Sequence, residues 1–267
     1  MANPALNEKR FEQARDEWQP GWAAPDTVTQ GAGASLPPAV TRSDAMTANG
    51  TFAKTFVLFV LLVAGGAIGW AQTDTSLPDQ IEFPGWVWIC LIGGFALAMV
   101  CAFVPKASPF LGPLYAVVEG VFLGAISKVF EAQWDGIVFQ AILATIGVFF
   151  ATLVLYVFDI VKVTRKFQMM VIGATCGIFL LYVFGALMSL FGVYVMFWNE
   201  PSGIGIAVSV VISCVAALNL FLDYEFIRQA STQGAPKYME WYGAFGITVT
   251  LVWLYLELLR LLALLRN

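Results

Sequence analysis

The sequence predicts an all-α integral membrane protein, a bundle of seven transmembrane helices. Three observations carry that reading. Hydrophobic residues make up 59% of the chain and charged residues only 12%, whereas a soluble domain is roughly a quarter charged. Mean hydropathy is +0.77. Seven apolar stretches follow one another from Thr51 onward, each near the ~20 residues that cross a bilayer as a helix. No stretch shows the polar–apolar alternation of a membrane β-barrel, so a helical bundle is the spanning solution that remains.

Residues 1–50 differ from everything after them. They are rich in Pro, Ala, Gly, Thr and charge and show no sustained apolar period, so a flexible cytoplasmic tail is expected ahead of a transmembrane domain at 51–267. The tail has no short apolar core with a cleavage site, and no signal peptide is expected. The seven segments run approximately 52–71, 85–104, 111–130, 136–158, 168–194, 203–227 and 241–264. Turn signals separate them at 79–84, 105–109, 133–136, 199–203 and 233–236.

Lysine and arginine set the expected orientation. With the N-terminus inside, the inner side holds Lys9, Arg10, Arg15, Arg42, Lys54, Lys106, Lys162, Arg165, Lys166, Arg228 and Lys237. The outer side holds Lys128, Arg260 and Arg266. The positive-inside rule then gives seven crossings with the C-terminus outside, unless the last segment is lipid-buried without fully crossing. Three GxxxG pairs, Gly65/Gly69, Gly120/Gly124 and Gly173/Gly177, predict close helix packing.

Several function classes are excluded or left unsupported. The formal net charge of −4 offers no basic face to nucleic acid. The chain has no histidine, which removes His-based triads, zinc sites and haem ligation. Cys90, Cys101, Cys176 and Cys214 stand singly in apolar runs and read as small buried hydrophobes. No HExxH, phosphate loop or intramembrane aspartyl motif is present, so no enzyme activity and no tightly bound cofactor are expected.

Four acids inside the apolar segments are the candidate functional residues: Glu119, Asp223, Glu225 and Glu257. An ionisable group at membrane depth costs a few kcal/mol or more and by default marks an ion or proton path. Each also has a plainer account. Arg260 lies three residues after Glu257 and Arg228 three after Glu225, on the same helix face in each case. Asp223 could simply accept hydrogen bonds at a helix end. If the hairpin between the last two segments turns at 234–236, Glu257 lies deeper than Asp223. A pivot nearer Glu240 would bring the two level.

At these residues the chain resembles the Bax inhibitor-1 (TMBIM) family, specifically a bacterial YccA-like branch. The resemblance is carried by GPLYAVVEGVFLGAIS at 112–127, NLFLDYEFI at 219–227, GAPKYMEWY at 234–242 and LYLELLR at 254–260, with MTANGTFAKT at 46–55 as its entry. It covers residues 46–267 and leaves the tail out. It implies a seven-helix bundle whose central last helix is wrapped by the other six, in a bacterial plasma membrane. It also implies a pH-sensitive calcium leak, in which one acid of helix six and one of helix seven share a proton as a latch.

By place in the motif those acids are Asp223 and Glu257, with Glu119 and Glu225 as secondary ion-path candidates. Arg228, Lys237 or Arg260 would be the basic latch partner. Two carboxylates in one low-dielectric site cannot both ionise cheaply, so such a pair holds a proton. Calcium, which prefers clustered oxygens, would compete for the same two acids. The expected partners are therefore the bilayer, calcium ions and protons. The competing expectation is a non-conducting regulator that binds a membrane protease or stress-response partner, with the tail as its contact. A seven-helix receptor is a third reading, without a ligand determinant.

Overall fold

The computed structural model describes residues 45–74, 85–192 and 202–266. The expected tail up to residue 44, and the expected turns at 79–84 and 199–201, lie outside the described residues. Seven helices, each long and apolar enough to span a membrane, fill the rest: α1 Ala48–Gln72, α2 Gly85–Phe103, α3 Ser108–Gln133, α4 Ile137–Val157, α5 Arg165–Leu190, α6 Gly203–Thr232 and α7 Met239–Arg266. The all-α membrane bundle expected from hydropathy is the fold. A short 3-10 turn, Pro105–Ala107, leads from α2 into α3.

α1, α3, α6 and α7 run past the expected segments, α5 is shifted toward its N-terminus, and α2 and α4 match theirs to within a residue at each end. Thr47, Thr164 and Ser202 each accept a backbone N–H of the first turn of α1, α5 and α6, satisfying one of the amides that a helix start leaves open. α1 therefore begins ahead of the expected domain boundary at residue 51. Gly234 takes a φ of +69° just after α6, a left-handed conformation that glycine adopts without a Cβ penalty. That residue fixes where the α6–α7 hairpin turns.

α7 is the central helix and shares that position with α3. The described contacts place α7 against α1, α3, α4 and α6. α2 packs chiefly on α3, and α5 chiefly on α6, so the wrapping is less even than six helices around one. Two clusters make most of the core. Ala216, Leu220, Tyr224 and Ile227 of α6 meet Ile247 and Leu254 of α7. Leu58 of α1, Tyr115 and Ala116 of α3, and Ala244 and Phe245 of α7 form the second.

The closest approach is the α1–α3 seam. A Cβ at Gly65, Gly69, Gly120 or Gly124 would collide with a backbone carbonyl of the facing helix. The two glycine pairs thus face each other, as small-xxx-small motifs do when backbones touch. The third pair behaves otherwise. Nothing lies within 4 Å of a Cβ placed on Gly173 or Gly177, so in α5 the spacing marks no helix seam among the described residues.

Candidate ion and proton site

At the end of the bundle where α1 begins, the chain is fastened to the α6–α7 hairpin. Ala45 bridges Pro236, and Met46 N–H donates to the Ala235 carbonyl at 2.7 Å. Thr47, the α1 cap, gives both its amide and its hydroxyl to Glu240 Oε1, each at 2.9 Å. Lys54, two turns into α1, forms an ion pair with Glu240 Oε2. Glu240 is only 2% exposed, and Gly50 leaves room for it, since a Cβ there would strike its carboxyl. Ser108 at the head of α3 joins the same end by donating to the Tyr238 carbonyl. A buried carboxylate with a cation and two further donors is fully served.

Asp223 lies farther along the hairpin, partly buried between α6 and α7. Thr250 donates to its Oδ2 at 2.7 Å, and Gly246 gives it space one turn away. Thr250 and Asp223 are level because the hairpin turns at Gly234. The pivot near Glu240 is not the one adopted.

Glu257 consequently sits seven residues beyond Thr250 on α7, about 10 Å of helix rise. Its carboxyl meets Arg260 at 2.8 Å and accepts from the Tyr182 hydroxyl of α5, while Arg260 also stacks over the Tyr182 ring at 5.7 Å. The two acids expected to share a proton stand at different levels. One calcium ion would need both carboxylates within about 2.3–2.6 Å, which this arrangement does not provide. Among the described residues no group of three or more acids or cysteines is placed to hold a metal ion.

The secondary candidates separate in the same way. Glu225 is buried and held by Arg228 (Nη2 2.7 Å, Nε 3.0 Å), by Gln229 at 2.7 Å and by Tyr156 of α4 at 2.8 Å. Arg228 therefore serves Glu225 rather than Asp223. Glu119, 9% exposed at mid-α3, is directed at Gly94 of α2, where a Cβ would collide with its carboxyl oxygen. Lys237 lies exposed in the hairpin turn.

The sequence reading missed Lys54 and Glu240 as a pair and Thr250 and Tyr182 as partners. Glu240 stood in the GAPKYMEWY motif, and that position was its only signal. Its partner is 186 residues away in the chain, beyond any local spacing rule.

A family model described as Bax inhibitor 1 like matches residues 3–267. The match takes in the tail, which the motif resemblance had left out. No curated protein and no solved structure matches the chain.

Proposed function

The chain belongs to the Bax inhibitor 1 like family, and we propose that it is a pH-sensitive cation leak, with calcium as the ion carried and Asp223 as the proton switch. The observation that carries this reading is the setting of Asp223. It lies inside a seven-helix membrane bundle, between α6 and the central α7, with Thr250 as its hydrogen-bond donor. Ionising an acid in such an interior creates a charge that water or a cation must stabilise. Loss of the proton thus favours a looser, wetter α6–α7 interface, and influx should rise with pH through the switch.

Glu257 takes a different role from the one the resemblance implies. With Arg260 beside it and Tyr182 donating, it is a neutralised pair that ties α5 to α7. The Glu240–Lys54 pair closes the end where α1 begins. The lysines and arginines of the even-numbered connections and of residues 1–54 favour that end as cytoplasmic, with the C-terminus outside. The likeness to the YccA-like branch supports a bacterial plasma membrane. The reading assigns no enzymatic activity and no bound cofactor.

Asp223→Asn tests the switch. In calcium-dye liposomes moved from mildly acidic to mildly alkaline buffer, the variant should show influx that no longer depends on pH. Thr250→Val, which removes the hydrogen bond, should displace the pH midpoint without abolishing it. An unchanged pH profile in Asp223→Asn would remove Asp223 from the mechanism.

A regulator that binds a membrane protease or stress-response protein is the second reading. It is favoured by the docking of residues 45–47 on the α6–α7 hairpin, through which a partner holding residues 1–44 would pull on α7. Deleting residues 1–44 should then abolish partner binding while leaving ion flux unchanged.

A further inference from the structure

A cavity of about 770 Å³ lies between α1 and α4, with α3 and α7 as its floor. None of the acids Glu119, Asp223, Glu225 or Glu257 lines it. Its hydroxyl protons are turned away from the cavity: Thr55, Ser127, Thr145 and Thr248 donate to carbonyls four residues earlier in their own helices, and Tyr255 pairs with Ser127 at 2.6 Å. Calcium is held by several oxygens with carboxylates among them, and no carboxylate lines this cavity. The cavity therefore presents mainly hydrocarbon, which suits an acyl chain better than a cation.

Along α1 its wall runs from Phe52 to Trp70, about 27 Å of helix, close to the thickness of a bilayer's hydrocarbon core. At the Trp70 end Lys128 of α3 lies over the indole ring, its Nζ 4.8 Å from the ring centroid. No ion pair involves Lys128 among the described residues. A cation and a tryptophan together at a helix end mark the headgroup level of a membrane.

We propose that the α1–α4 groove is a binding site for a phospholipid with an anionic headgroup, one acyl chain filling the groove and the phosphate meeting Lys128. The charge at the rim and the apolar wall below it match the two parts of such a molecule in the order in which the bilayer presents them. The site is independent of the proton switch at Asp223, which lies on the α6 side of α7.

The test is native mass spectrometry of the full chain extracted from vesicles of equal parts phosphatidylglycerol and phosphatidylcholine. Wild type should retain phosphatidylglycerol preferentially. Lys128→Gln should cut that preference about five-fold, the effect of one lysine at an anionic headgroup, and the loss should be reproduced in wild type by high salt. Ala67→Trp, or Ile146→Trp if the first fails to fold, fills the groove and should abolish retention of both lipids. Val154→Trp, on the α4 surface away from the groove, should leave retention as it is. Equal retention by all folded variants, or retention of detergent or free fatty acid in place of phospholipid, would overturn the proposal.

Discussion

Glu240→Ala is expected to lower the stability of the purified protein by about 3 kcal/mol or more, the range for removing one partner of a buried ion pair. The loss has two sources. Lys54 is left as an uncompensated charge that is only 19% exposed, and the amide and hydroxyl of Thr47 lose their acceptor. Because Thr47 is also the cap of α1, the first turn of that helix should loosen with it. Lys54→Met combined with Glu240→Gln removes both charges and keeps an acceptor for Thr47, so the double variant should recover most of the loss. Thermal unfolding in one detergent checks both. A melting temperature unchanged in Glu240→Ala would show that the α1–hairpin clasp contributes nothing.

Gly124→Ala should be the second large effect. A Cβ there falls on the Gly66 carbonyl across the α1–α3 seam, and backbone cannot swing aside as a side chain does. Overpacking of this kind costs roughly 1–3 kcal/mol. The rigid neighbour places this case toward the upper end. Gly173→Ala has the same motif and the opposite expectation. Its new methyl meets nothing within 4 Å, and alanine is favoured over glycine inside a helix by about 0.5–1 kcal/mol. Measured side by side, the first should lower the melting temperature and the second should hold or raise it. Equal losses at both sites would mean that the seam is not where the bundle is tightest.

These two cases show what a sequence carries and where it stops. The seven spans were legible because each must present about 20 apolar residues to lipid. The ends of α2 and α4 and the turn at Gly234 were legible as well, whereas the starts of α1 and α5 were not, because capping side chains set them and leave little mark on hydropathy. All three GxxxG pairs look alike in sequence. Only a facing helix distinguishes Gly120/Gly124 from Gly173/Gly177, and spacing does not name the neighbour.

The acids follow the same logic. Glu225 with Arg228 and Glu257 with Arg260 were legible as local pairs, since three residues bring side chains to one helix face. The level of Asp223 relative to Glu257 depended on where a hairpin turns, so its partner proved to be Thr250. Glu240 and Lys54 meet only through tertiary packing.

The most direct test of the central claim is calcium influx into liposomes carrying the purified wild-type protein and a trapped dye, followed across a pH series. A proton-gated leak gives influx that rises as protons are withdrawn and that is absent from protein-free vesicles. No influx at any pH, from protein shown by its unfolding transition to be folded, would contradict the leak and leave the acids as groups that hold the bundle together.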